Sequence, residues 1–374
     1  MQYLQLYFRG LGFGDGDVGL LMGLLQVSGV AGALVMGAIV DRRPITRALL
    51  AIAIGGSALL FVFLGVAAGP GGRLAVAIPI TLAMGLLFRS EVPLLDTHVS
   101  LVLAKSGQDY GKIRVWGTFG FIAASLIFQF AGYPRPDIEG SIVVVFLLVS
   151  GGFLVAVATL PRARVDTRER SRQSRGRLPG AFWLVVGIVF LANTGFGAHS
   201  AFFSLYVQDM LPGFLVSGAW AIGAVAEIPV VLFGGYTVRR FGVRALLVAA
   251  ALAMALRLLV YAILPQTVPV LAAQLLHALT FGALHVAGMS FIGRAIAPEE
   301  HGRAVSLYSA LGFGLSGLLG GVLGGQILEY LGFATLFFAF ALPPAAGAVI
   351  GVVFGRKIQR AYRRGWKNGA KPAT

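Results

Sequence analysis

Of 374 residues, 57% are apolar and only 12% charged, where a soluble domain carries roughly 25% charged residues to coat its surface. That excludes a water-solvated fold and points to a chain dissolved in lipid. The absence of cysteine removes disulfide frameworks, thiolate metal sites and cysteine nucleophiles together.

Met1 to Phe8 reads as the last third of a helix, because eight residues rising about 1.5 Å each cannot cross a bilayer. An outer loop, Arg9 to Asp17, follows, and no cleavable signal peptide is visible. Either the true start lies upstream, with about 20 further apolar residues encoded in frame ahead of Met1, or the chain is truncated. The upstream start is preferred, since the remaining helices keep their motifs.

Eleven full spans then follow, near 17–40, 48–69, 74–98, 113–131, 141–160, 181–209, 217–237, 244–264, 268–296, 303–329 and 333–355. Each is long enough to cross about 30 Å of hydrocarbon as a helix. Ten-residue alternating strands are missing, which excludes a barrel.

The net charge of +15 raises the question of a nucleic-acid partner, and the placement of the charges argues against one. Alternate loops hold 25 of the 30 basic residues, among them Arg42, Arg43, Arg47, Arg239, Arg240 and Arg244, seven arginines between 162 and 177, and seven basic residues between 356 and 371. The opposite loops hold Arg9, Arg73 and Arg135. This is the positive-inside asymmetry, which places the basic loops, the linker and the C-terminus in the cytoplasm of a multi-pass inner-membrane protein. The tail with Tyr362 and Trp366 among its bases is either a topology signal or a contact to anionic lipid.

Residues 161–180 form the one long polar stretch inside the chain and read as a cytoplasmic linker. It separates an N-terminal helical bundle, 1–160, from a C-terminal bundle, 181–355, followed by the basic tail 356–374. A shift of 197 positions lays Gly37, Arg42, Arg43, Arg47 and Ala48 on Gly234, Arg239, Arg240, Arg244 and Ala245. Parallel internal repeats of this kind belong to transporters.

The turn Gly37-Ala-Ile-Val-Asp41-Arg42-Arg43 resembles the loop between the second and third helices of the major facilitator superfamily. The second copy places Arg239 where a family aspartate would stand. Tyr110-Gly-Lys-Ile-Arg114-Val-Trp116-Gly, Ala226-Glu227-Ile-Pro229 and Gln274-Leu-Leu-His277-Ala-Leu-Thr-Phe281-Gly282 resemble the phenylpropionate permease branch, itself similar to lactose permease and the nucleoside-proton symporters. The resemblance implies an all-α membrane protein of the major facilitator fold, with two pseudo-symmetric six-helix bundles working by alternating access. It also implies gating roles for Asp41 and Arg42.

Ionisable groups within spans cost about 2.5 to 3.5 kcal/mol each on insertion scales, so each calls for a partner or a task. Glu227, Arg257, His277 and His199 lie seven to ten residues from the outer ends of their helices, within roughly 5 Å of one depth. Gln26 of the first half reaches the same level. A glutamate, an arginine and a histidine so placed resemble the proton-coupling cluster of lactose permease, whose second acidic residue has no counterpart near His277. Glu227 and Arg257 are expected either to form a static ion pair that fixes helix packing or to have a coupled or substrate-contacting role. Gln274 and His277 share a helix face, with His285 rotated from it and deeper.

Span 74–98 ends in Arg89-Ser-Glu91-Val-Pro93-Leu-Leu-Asp96-Thr-His98. Asp96 is expected to pair with Arg114, and Glu91 either to pair with Arg89 or to face a central cavity. Small residues recur every fourth position at Gly312, Ser316, Gly320 and Gly324 and at Gly29, Ala33 and Gly37, which lets helices approach closely and gives seams that can rock.

No zinc-site spacing, phosphate-binding loop or nucleophile motif is present, so no cofactor is expected and an enzyme is disfavoured. The expectation is a monomeric transporter for protons and a small organic solute: an aromatic carboxylate, a nucleoside or a sugar. Proton-coupled drug or metabolite efflux is the alternative, with an intramembrane enzyme or a receptor more remote.

Overall fold

The computed structural model describes residues 2–40, 45–69, 73–103, 110–131, 138–161 and 177–365. Within these residues the backbone is helical and no strand forms, as a solvent without hydrogen-bonding groups requires. In chain order the helices are α1 (Leu4–Gly10), α2 (Asp15–Val40), α3 (Thr46–Ala68), α4 (Leu74–Phe88), α5 (Glu91–Leu103), α6 (Tyr110–Phe130) and α7 (Ile138–Thr159). After the linker come α8 (Gly180–Met210), α9 (Val216–Ile263), α10 (Thr267–Gln274), α11 (Leu284–Ala295), α12 (His301–Ser309) and α13 (Ser316–Arg364). A π-helical turn, Ala278–Ala283, joins α10 to α11, and a second, Ala310–Leu315, joins α12 to α13.

By length and composition, nine helical runs among the described residues can cross a membrane. The difference from the eleven expected spans has two causes. The run Pro298–Arg364 holds two arms, reversed at Gly332, whose φ of +77° suits glycine. Of α6, side chains are described only from Val115, which leaves Val115–Phe130 as its apolar run here. A similar reversal at Gly242, φ +81°, divides α9.

Large side chains facing outward are apolar, with Val66 and Val268 at 77% exposure and Phe130 at 86%, so the periphery matches lipid. Buried polar groups, Arg257 foremost, lie inside. That is the inverse of a water-soluble fold.

In the first half α3 packs on α4, α5 and α7, and α2 on α4; in the second, α13 packs on α8 and α9. Between the halves α2 lies on α13 and α6 on α9. The α2–α13 contact is backbone on backbone: a Cβ on Gly321 would stand 2.6 Å from the Gly19 carbonyl oxygen, and one on Gly325 2.9 Å from that of Asp15.

At the end away from the basic loops the halves are also tied by polar contacts. Arg9 Nη2 meets Asp15 Oδ1 at 2.7 Å and Nη1 meets Asp209 Oδ2 at 2.6 Å. Gly16 N–H donates to Glu329 Oε2 at 2.9 Å and Gly218 N–H to Gln129 Oε1 at 2.8 Å. Past Val30, which faces Gly314, α2 turns Leu34 and Val35 outward at 43% and 56% exposure.

Candidate functional site

Three helical rods, two of them interrupted, carry most of the buried polar groups. The first arm of α9 carries Glu227 two residues before Pro229, which has no N–H to give the Val225 carbonyl, and helical geometry lapses at Phe233 (φ −109°, ψ 17°). The second arm carries Arg257 and Tyr261 one turn apart on the same face. The rod from 267 to 295 is broken after Gln274, and His277 and Thr280 sit at the start of the π-helical turn, a feature common at functional sites. Bare backbone makes room for them: a Cβ on Gly223 would meet His277 at 3.4 Å, and one on Gly282 would meet Glu227 Cγ at 3.4 Å.

Arg257 is wholly buried and its guanidinium is the hub. Nε donates to Tyr261 Oη at 2.7 Å, and Nη1 to Thr280 Oγ1 at 3.3 Å and His277 Nδ1 at 3.1 Å. Nη2 donates to His199 Nε2 at 3.1 Å and to Gln274 Oε1. Gln274 Nε2 in turn donates to Tyr261 Oη at 2.8 Å. Glu227 joins through the far side of the His277 ring, with Oε2 3.8 Å from Nε2. Removing a guanidinium from water costs several kcal/mol even after relaxation, and here the hydrogen bonds that offset it all come from neutral acceptors.

Aromatic rings enclose this hub. His199 lies 4.6 Å from Phe203, 5.3 Å from Trp220 and 5.8 Å from Tyr261, centroid to centroid. Phe196 lies 5.8 Å from His277 and 5.6 Å from Phe281. Along α10 to α11, His277, Phe281 and His285 form a ladder with planes 5° and 6° apart. Polar groups framed by flat apolar surface can orient a small solute that has an apolar body and a charged or hydrogen-bonding end.

The structure thus brings His199, Glu227, Arg257, Gln274 and His277 into one cluster. His285 is two rings along the ladder, beside Tyr308 and Phe313. Gln26 lies against Gly317 of α13, at the junction of the halves. Glu91 is elsewhere in the first half, accepting from Ser57 Oγ at 2.8 Å, and the Arg89 side chain packs on Gly29. Asp96 lies on α5. The Arg114 side chain expected to meet it is outside the described residues, as are Asp41 and Arg42.

The family model described as the MFS_1 like family matches residues 1–339 of the chain. The chain belongs to this major facilitator family. It is 26% identical to the "Probable 3-phenylpropionic acid transporter" of Escherichia coli (strain K12) over 91% of this chain and 90% of that one. Identity to the maltose permease of Geobacillus stearothermophilus is 27%, covering 91% and 86%. Among solved structures, a mutant of the nucleoside transporter NupG superposes with a TM-score of 0.81 at 18% identity, covering 94% of each chain. The major facilitator fold and the role of secondary transporter follow, and the relatives are not enzymes.

In this facilitator the direct Glu227–Arg257 ion pair expected from the sequence does not form among the described residues, because His277 stands between the two groups. Tyr261, Thr280 and the flanking Phe196 and Trp220 complete the site and were missed. Tyr261 lies four residues after Arg257, and Thr280 three after His277. Helical spacing from each charged or titratable residue would have found both.

Proposed function

We propose that this transporter carries a small organic anion together with protons, by symport across the inner membrane, with the basic loops in the cytoplasm and a single chain as the working unit. The observation that carries the reading is Arg257, a fully buried guanidinium whose contacts are all neutral groups. A carboxylate is the partner whose two oxygens match its forked donors. The rings of Phe196, Phe203, Trp220 and Phe281 suit an aromatic body, and similarity to the 3-phenylpropionic acid transporter supports that class. Glu227, linked to Arg257 through His277, is the coupling carboxylate. When its cationic surroundings move between states, its proton affinity changes with them.

The test is uptake of labelled 3-phenylpropionate into proteoliposomes under an imposed pH gradient, with uridine and maltose as comparison solutes. Gradient-driven accumulation of the carboxylate is expected. Glu227→Gln, which keeps shape and hydrogen bonding, should abolish accumulation yet retain exchange of solute across the membrane. Accumulation by that variant would remove Glu227 from coupling. No gradient-driven movement of any of the three solutes by the wild-type protein would overturn symport.

A further inference from the structure

His199 of α8 and His277 of the broken helix each turn one ring nitrogen to the same guanidinium. Nε2 of His199 lies 3.1 Å from Arg257 Nη2, and Nδ1 of His277 lies 3.1 Å from Nη1. A guanidinium has five N–H groups and no lone pair to offer. Each contacting nitrogen therefore accepts and carries no proton. The two rings are held in opposite tautomers: the proton sits on Nδ1 in His199 and on Nε2 in His277. In His277 that N–H points toward Glu227, while Nδ1 of His199 is buried without a hydrogen-bond partner.

A proton on either contacting nitrogen would set N–H against N–H and place a second cation beside a fully buried first. Among the groups against the two rings, the Glu227 carboxylate opposes that conflict, and only at His277. His199 meets Arg257 of α9, with the Tyr261 ring 5.8 Å away. His277 meets Arg257 of the second arm of α9 and, on its other edge, Glu227 of the first arm. His285, on the strand of rings below His277, is separated from it by Phe281.

We infer that Arg257 is a positioning residue for proton uptake: seated between the two imidazoles, it bars both from binding protons, and it frees them when an anion draws the guanidinium away. This rests on the symport reading above. A carboxylate replaces two neutral acceptors with two oxygens that share one negative charge, so anion binding compensates the loss of the imidazole contacts. The vacated nitrogens then accept protons. Anion and proton are linked without touching each other, and the linkage is reciprocal.

Full-length protein carrying ¹⁵N-labelled histidine in lipid nanodiscs tests this, with the five histidines assigned by single His→Gln variants. At pH 7 the ring nitrogen shifts should show His199 as the Nδ1–H tautomer and His277 as the Nε2–H tautomer. In Arg257→Gln both rings should lose their fixed tautomers, and proteoliposomes of that variant should take up protons under an imposed potential, without solute, about tenfold faster than wild type, as loss of at least one charge-assisted hydrogen bond implies. The same tautomer in both wild-type rings, or a charged His199, overturns the inference, as do unchanged shifts in Arg257→Gln. Should that variant not fold, the wild-type shifts decide by themselves. Failure of symport reads differently: wild type would not accumulate 3-phenylpropionate, while the histidine shifts stayed as stated.

Discussion

Arg257 reaches five acceptors, His199, Tyr261, Gln274, His277 and Thr280, through three nitrogens. A lysine ammonium is a point charge with three donors on a flexible stem and cannot reproduce that fork. Arg257→Lys should therefore lose transport almost as severely as Arg257→Ala. Two lost charge-assisted bonds at about 1.5 kcal/mol each correspond to about a hundredfold lower initial uptake rate. Near-normal uptake by the lysine variant, measured in proteoliposomes at matched protein content, would show that charge alone suffices. Tyr261 is the companion test: Tyr261→Phe removes a hydroxyl that accepts from both Arg257 and Gln274. It should cost about tenfold in the same assay, since it leaves buried donors unmatched.

Between elements, the glycine spacing has two faces with different work. The stripe Gly312, Ser316, Gly320, Gly324 packs against α8 within the second half: a Cβ on Gly320 would meet Ala198 N at 2.6 Å. The contact between halves uses the neighbouring stripe, where Gly317 faces Gln26, Gly321 faces Gly19 and Gly23, and Gly325 faces Asp15 and Gly16. Spacing alone shows both stripes but not which helix each one meets, because rotation about the helix axis is set by packing. Gly321→Leu should leave the fold inserted and prevent α2 from seating on α13. Gel-filtration behaviour should stay that of wild type while net uptake falls at least about tenfold, since overpacking costs roughly 1–3 kcal/mol. Normal uptake would show that the halves do not need this contact to cycle.

At the scale of the whole molecule, the two halves are tied together by polar contacts at the Arg9 end. These contacts gather three carboxylates, Asp15, Asp209 and Glu329, around one arginine and one helix start. Arg9 is part-exposed, so its bridges contribute modestly. Glu329 acts at the N-terminus of α2, where a negative charge stabilises by about 0.3–1 kcal/mol. Glu329→Gln keeps an acceptor and loses the charge, and should shift the population open at this end by about two- to fivefold. The absence of cysteine lets spin labels be placed at Arg73→Cys and Gln208→Cys without background, and pulsed distance measurements would report that population directly. An unchanged distance distribution would leave Glu329 without a part in closure.

The sequence by itself determined the solvent of this protein, its run of spans, its charge asymmetry and the shared depth of His199, Glu227, Arg257 and His277. These are properties each residue carries whatever its neighbours: the insertion cost of a charge and the length of an apolar run do not depend on packing. Only the tertiary structure decided that His277 stands between Arg257 and Glu227, that Tyr261, Gln274 and Thr280 complete the hub, and that Glu91 lies apart with Ser57. The break after Gln274 and the π-helical turn at Ala278–Ala283 re-aim side chains that an ideal helix would point elsewhere. Depth along a helix is written in the residue count, whereas direction around it is settled by the helices that pack against it.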